Sequence, residues 1–136
     1  MPLEALFTSP WWADFYSREV LELHAAAERD GNEVDISMSV VCQGATWAIV
    51  SLPCELFVED ASEIQRKSPF KHTVCNTLAN GYNGYLPTLE AFTRSGGYET
   101  KLLSSSFLAP EAGGLVVSQA VLLLYRAHAL ATSRFG

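Results

Sequence analysis

Near its C-terminus the chain predicts a long helix with an apolar face too wide to remain in water. The helix begins near Pro110, a residue favoured in the first turn, with Glu111 placed to complement the helix dipole, and it runs to about residue 131. Its apolar residues recur at helical spacing: Val116, Val117, Ala120, Val121, Leu123, Leu124 and Ala127. Such a face has to be covered by a β-sheet or by another subunit.

Three segments upstream predict strands that can supply this cover. Apolar and polar residues alternate from residue 33 to residue 40, which is typical of a strand with one wet face. Gln43 and Gly44 can turn the chain, and TWAIVSLP at residues 46–53 predicts a second, mostly buried strand that completes a β-hairpin. A short third strand is expected at residues 72–78, where β-branched and small residues are common.

Helices are predicted on both sides of these strands. Apolar side chains recur at spacings of three and four in residues 11–29, and residues 54–68 predict a second helix that Pro69 ends. A short helix is expected over residues 88–93. The fold class is therefore α/β, with one small mixed β-sheet covered by long helices in a single domain spanning residues 1–136. Three strands are few for two long apolar helices, so either further strands escape the pattern or another polypeptide completes the layer.

Composition excludes several classes of protein. The chain is 49% hydrophobic and 18% charged, which excludes a disordered protein, and its net charge of −6 argues against binding to nucleic acid. The most apolar segment, residues 114–124, is too short for a transmembrane span, and MPLEALFTSPWW lacks the features of a signal peptide. The three cysteines (Cys42, Cys54 and Cys75) are interpreted as buried thiols in a reducing compartment, so a cytoplasmic protein is expected.

Two features carry candidate chemistry. Glu55 follows a buried strand, where open α/β sheets place ligands, although a carboxylate at a helix start also simply complements the helix dipole. The stretch CNTLANGYNGYLPTLEAFTRSGGYET, residues 75–100, combines three tyrosines with four glycines. Tyrosines on such a loop can bind a ligand, bond an oxyanion or, as phenolates, ligate a metal, but a structural turn with packed rings fits the pattern equally well.

Four segments in a fixed order carry a resemblance to a known family: LPCELFVEDASEIQRKSPF, LANGYNGYLPTLEAF, GGYET and LAPEAGGLVVSQAVLLL. Together they resemble the C-terminal part of the catalytic domain of neutral/alkaline non-lysosomal ceramidases and related bacterial proteins. The likeness covers about residues 33–130. It implies the fold of that half of the catalytic domain and a zinc-dependent hydrolase that cuts the N-acyl bond of ceramide.

The resemblance also implies roles for individual residues. In the family a glutamate in a Pro-Gly-Glu-Phe-like stretch and the second tyrosine of an Asn-x-Tyr-x-x-Tyr stretch bind zinc, together with two histidines from the N-terminal part of the domain. These stretches match residues 53–56, with Cys54 in place of glycine, and residues 80–85. Glu55 and Tyr85 are thus the implied metal ligands and, with Tyr82, the implied catalytic residues. The implied ligand-binding residues around them are Asn80, Thr88, Tyr98 and Glu99.

The part of the family that carries the histidines has no match in this chain, so the implied zinc site has an incomplete ligand set. We therefore expect a subunit or fragment of an amidohydrolase that a second protein chain, or further copies of this chain, completes, with a lipid amide or another small molecule as substrate. Two alternatives remain open. The scaffold can serve as a non-catalytic interaction or assembly module, or as a metal-free biosynthetic enzyme that uses Glu55 as a general base.

Overall fold

The computed structural model describes residues 8–94 and 97–135, which form a mixed α/β fold. Residues 1–7, which belong to the segment in which no signal peptide is expected, lie outside the described residues. The helices of the described part are α1 (Pro10–Asp30), α2 (Val58–Lys67), α3 (Leu89–Thr93) and α4 (Ala112–Phe135), with one turn of 3₁₀ helix at Tyr98–Thr100. The strands are β1 (Ser39–Gln43), β2 (Trp47–Ser51), β3 (Glu55–Leu56), β4 (His72–Asn76) and β5 (Tyr85–Leu86).

Three of these strands form a small mixed sheet in the order β1-β2-β4. The predicted hairpin is confirmed, because β1 and β2 pair antiparallel around the turn at residues 44–46, with Val41 opposite Ile49. The predicted third strand, β4, lies parallel to β2, with Val74 opposite Ile49, and α2 makes the crossover between them. A parallel pair needs such a crossover because its strands run in the same direction.

One face of the sheet carries the hydrophobic core. The helices α2 and α4 pack against each other and over the strands, so the wide apolar face of α4 is covered by the sheet as predicted. The buried core residues are Ala48, Val50, Leu52, Cys54, Ile64, Phe70, Leu86, Val116, Val117, Ala120 and Leu124. The opposite face of the sheet is open to solvent and presents four apolar side chains: Val41, Trp47, Ile49 and Val74.

The helix α4 is longer than the apolar segment expected from the sequence. Its residues 112–134 contain an 18-residue window with a mean hydropathy of 1.4, and they are long and apolar enough to cross a membrane by length and composition alone. The core helix of a soluble protein meets the same criterion, and α4 places Val116, Ala120 and Leu124 in the core described above.

Some predicted details are wrong. Pairing in β1 begins only at Ser39, opposite Ser51, because β2 ends there and leaves residues 33–38 without a neighbouring strand. The side chains of Trp47 and Ile49 are exposed, so β2 is buried on one face only. Cys42 is exposed as well, since β1 is an edge strand, whereas Cys54 is buried and Cys75 half-buried.

Candidate functional site

The strands β3 and β5 continue the parallel pair β2 and β4 beyond its carboxyl end. The Leu52 N–H donates to the Asn76 carbonyl over 2.9 Å, and the Leu78 N–H donates to the Cys54 carbonyl over 3.2 Å, which keeps the two segments side by side. Glu55 and Tyr85 then pair directly in parallel register. Because directly paired residues project to the same face of a sheet, these two side chains lie on one side of the β3–β5 pair.

Gly84 allows the loop before β5 to reach this position. Its φ is +74°, and a Cβ at this residue would lie 2.6 Å from the Ser105 carbonyl oxygen. The same oxygen accepts the Tyr85 N–H over 2.7 Å, while the Gly84 carbonyl accepts the Glu55 N–H over 2.9 Å. The glycine therefore provides both the left-handed backbone and the room for the close approach of residue 105.

Four predicted site residues come together here, and we call Glu55, Tyr82, Tyr85 and Tyr98 the tyrosine cluster. The Tyr82 hydroxyl donates to Oε1 of Glu55 over 3.3 Å. The hydroxyls of Tyr85 and Tyr98 lie 2.9 Å apart, and their rings meet edge to face with centroids 5.4 Å apart. The cluster lies at the surface, with Glu55 and Tyr85 half-buried and the other two side chains exposed.

The surroundings of the tyrosines keep their hydroxyls protonated. The hydrogen bond with Tyr98, followed by burial and by Glu55, raises the pKa of Tyr85 well above its ordinary value. Burial, followed by the negative charge of Glu55, raises the pKa of Tyr82. A hydrogen bond to the neutral form and a nearby like charge both oppose ionisation. At neutral pH these phenols are hydrogen-bond donors, and a phenolate ligand at Tyr85 would require the field of a bound cation.

The other predicted ligand-binding residues lie around the cluster. Asn80 adopts a left-handed backbone with φ +65° in the loop that precedes Gly84. Thr88 caps α3, where its hydroxyl accepts the Ala91 N–H over 3.2 Å. Thr88 and Glu99 also line a cleft of about 330 Å³ between α3 and the 3₁₀ turn that contains Tyr98. The remaining residues that line this cleft are Phe57, Glu59, Glu90, Ala91, Arg94, Gly97 and Thr100.

The donor set fits part of a zinc site. Glu55 and Tyr85 offer a carboxylate and a phenol on one face, but a zinc site needs about four ligands. The described residues contain no group of three or more His, Cys, Asp or Glu side chains that could hold a metal. The histidines face other partners: His24 lies 3.8 Å from Glu28, His72 stacks on Trp47, and His128 packs on Phe70. The two oxygen donors therefore fit zinc only if nitrogen ligands come from elsewhere.

The sequence interpretation missed the role of the three consecutive serines. Leu103 and Ser106 close a tight turn around Ser104 and Ser105. The turn holds Tyr85 through the Ser105 carbonyl. No pattern in the sequence could have indicated this contact, because residues 84 and 105 lie far apart along the chain.

Comparisons with protein-family models, curated proteins and solved structures gave no match to this chain.

Proposed function

We propose that this chain is part of a zinc-dependent, ceramidase-like amidohydrolase of the cytoplasm. In this proposal it contributes Glu55 and Tyr85 as metal ligands, and a second polypeptide contributes the histidines. The observation that supports it most is the direct pairing of Glu55 with Tyr85 across β3 and β5, which puts both oxygen donors on one face. These are the two positions that the ceramidase resemblance assigns to the metal, and they lie 30 residues apart in the sequence.

The chain's own residues would prepare this half of the site. The Tyr82 hydroxyl bonds Oε1 of Glu55 and so fixes the carboxylate, as partners of metal ligands commonly do. Tyr98 bonds the Tyr85 hydroxyl and packs on its ring, which limits the positions that the phenol oxygen can take. A bound zinc ion supplies Lewis-acid polarisation of an amide carbonyl and lowers the pKa of water. The cleft between α3 and the 3₁₀ turn offers room for part of a lipid amide or another small substrate.

The test is to express the chain with and without the genes next to its own and to purify it. Native mass spectrometry and metal analysis then report partner, stoichiometry and zinc together. We expect a complex with a larger polypeptide and about one zinc ion per complex. The Glu55→Gln and Tyr85→Phe variants should still form the complex but lose zinc affinity by at least about tenfold, since each removes a ligand.

Matched variants away from the cluster provide the control. Glu22→Gln changes an exposed carboxylate on α1, and Tyr125→Phe changes an exposed phenol on α4. Both should retain full zinc content. A stable monomer that takes up no zinc in either preparation would contradict the proposal, as would full zinc content in a Glu55→Gln/Tyr85→Phe double variant.

A binding module without catalysis is the second candidate, and the position of the tyrosine cluster at the surface, with Tyr82 and Tyr98 exposed, favours it. Protonated phenols at the surface are suited to donate hydrogen bonds to a ligand or a partner. This candidate predicts that no metal follows the complex and that Tyr85→Phe weakens partner binding, because it removes a hydrogen-bond donor. The purification described above distinguishes the two candidates, because zinc content separates them while complex formation by the unmodified chain does not.

A further inference from the structure

The helix α1 is connected to the tyrosine cluster through the side chain of Glu19. Its Oε2 atom accepts the N–H of Ser104 over 2.8 Å, although the two residues are 85 positions apart in the sequence. The hydrogen bonds from the side chain and then from the backbone of Ser104 lower the pKa of Glu19. The contact is therefore made by an ionised carboxylate, and hydrogen bonds of this kind are stronger than those between neutral groups.

Ser104 belongs to a turn that has few ways to move. The Leu103 N–H donates to the Ser106 carbonyl over 3.1 Å, and the Ser106 N–H donates back to the Leu103 carbonyl over 2.8 Å. The Ser106 hydroxyl also donates to the carbonyl of Glu99, the residue after Tyr98. We call residues 103–106 the serine turn.

The serine turn contacts both the strand that carries Tyr85 and the 3₁₀ turn that carries Tyr98. The carbonyl of Ser105 holds the Tyr85 N–H, and it packs so closely on Gly84 that no side chain would fit between them. The bond from Ser106 to Glu99 holds the 3₁₀ turn that carries Tyr98. A displacement of the serine turn would therefore change the 2.9 Å contact between the hydroxyls of Tyr85 and Tyr98.

None of the residues of α1 is fully buried, so polar contacts contribute to holding this helix against the rest of the fold. A groove of about 690 Å³ separates part of α1 from residues 102–107, so side-chain packing alone does not fix the helix against the serine turn. The charged bond from Glu19 crosses between these two elements and sets their relative position.

We infer that Glu19 is a positioning residue, through which α1 holds the serine turn and thereby sets the geometry of the tyrosine cluster. The inference deepens the proposed function, because it assigns control of the proposed zinc ligand Tyr85 to α1. The contact and its effect on Tyr85 do not require the metal, so they can be tested on the chain alone.

The experiment uses the full chain labelled with ¹⁵N and with ¹³C in its tyrosine rings. NMR then measures the exchange rate of the Tyr85 amide with deuterium and the ring signals of Tyr85 and Tyr98 at neutral pH, with Tyr85→Phe and Tyr98→Phe as assignment aids. In Glu19→Ala, the Tyr85 amide should exchange about tenfold faster. The substitution removes the charged hydrogen bond to Ser104, which holds the serine turn and with it the Ser105 carbonyl that accepts the Tyr85 N–H. The ring signals of Tyr85 and Tyr98 should shift together.

Three variants give this test its specificity. Glu19→Gln keeps an acceptor oxygen and should restore most of the wild-type signals. Glu22→Ala removes a neighbouring exposed carboxylate on α1 and should change neither readout. Ser104→Pro removes the N–H donor at the second residue of a turn, a position that accepts proline. Glu19→Ala and Ser104→Pro break the same hydrogen bond. The double variant should therefore increase the exchange rate of the Tyr85 amide little beyond that of either single variant.

Unchanged exchange at Tyr85 in folded Glu19→Ala would overturn the inference, and so would an equal change in Glu22→Ala. If Glu19→Ala does not fold, Ser104→Pro and Glu19→Gln provide the test. Exchange of the Tyr85 amide at the wild-type rate in Ser104→Pro overturns the inference. Faster exchange in Ser104→Pro, together with a wild-type rate in Glu19→Gln, supports it. Absence of zinc in the purified complex contradicts the proposed function, but it does not affect the exchange rate or the ring signals measured on the chain alone. A failure of the proposed function can therefore be distinguished from a failure of the inference about Glu19.

Discussion

Gly84, which directly precedes Tyr85 of the tyrosine cluster, occupies a position at which a side chain is strongly disfavoured. Replacement by alanine has to bring a Cβ within 2.6 Å of the Ser105 carbonyl oxygen while φ stays at +74°. Both effects act in the same direction, so Gly84→Ala should lower the free energy of unfolding by roughly 2 kcal/mol or more. Urea unfolding followed by circular dichroism measures the change.

Gly114 provides the opposite case for the same substitution. It lies in α4, and a Cβ at this position meets nothing within 4 Å. Gly114→Ala should therefore raise the free energy of unfolding by about 0.5–1 kcal/mol, because alanine loses less backbone entropy in a helix than glycine does. Equal effects of the two substitutions would refute the close packing of residue 84 on the serine turn.

Asp60 is the carboxyl group whose surroundings most disfavour its charge. Its Oδ2 atom is buried without a hydrogen-bond partner among the described residues, and burial, then Glu59 and Glu63, raise the pKa of its carboxyl group. A folded state with the higher pKa binds the proton more tightly than the unfolded state. Charge on Asp60 therefore destabilises the fold at neutral pH, and this penalty is lost as the pH falls through the raised pKa toward about 4.

Asp60→Asn should therefore stabilise the protein at pH 7 by about 1 kcal/mol, since it removes the buried charge. The difference from wild type should shrink as the pH is lowered toward 4, because the wild-type carboxyl group becomes protonated in the folded state. Urea unfolding at a series of pH values measures this, with Glu22→Gln as an exposed control that should follow wild type. A gain from Asp60→Asn that grows on acidification would contradict the raised pKa.

At the residue scale, the sequence predicted which side chains gather but not what holds them. Glu55 and Tyr85 were identified from short motifs of a resembling family, and the structure places them as direct neighbours. The contacts of Ser105 with Tyr85 and of Glu19 with Ser104 could not be predicted. They join residues that are distant in sequence, and a single polar residue has no periodicity that would indicate its partner.

At the element scale, α4 shows how a continuous apolar surface is divided by the fold. Leu124 is fully buried in the core, whereas Leu122 on the same helix is 42% exposed. Leu124→Ala should cost about 3 kcal/mol of unfolding free energy, because it leaves a cavity under the sheet. Leu122→Ala should cost less than about 1 kcal/mol. Chemical denaturation of both variants tests this, and similar losses would mean that α4 buries a different face.

The elements with a period were predicted better than those without one. The apolar spacing of α1, α2 and α4 gave their positions to within a few residues. The alternation at residues 33–40 predicted the first strand of the hairpin but placed it several residues before β1. The strands β3 and β5 were missed because two residues cannot show an alternation. Their pairing depends on β2 and β4 lying parallel, which is a property of the assembled sheet.

At the scale of the whole molecule, the helices in the described part of the chain cover one face of the sheet. The pair β2 and β4 is parallel, and parallel strands are normally buried on both faces. Here Trp47, Ile49 and Val74 remain exposed on the second face. This agrees with the expectation that three strands and two long apolar helices make an incomplete layer. The outer face of α4 also exposes large apolar side chains: Leu115, Leu122 and Leu130.

The distribution of buried residues also predicts an uneven local stability. No residue of α1 is fully buried, whereas Val50 in β2 and Leu124 in α4 are at 0% exposure. Local opening needs less free energy where fewer apolar contacts are broken, so α1 amides should show protection factors at least roughly tenfold lower than those of β2. Hydrogen exchange of the native protein measures both, and equal protection would mean that α1 opens only with the core.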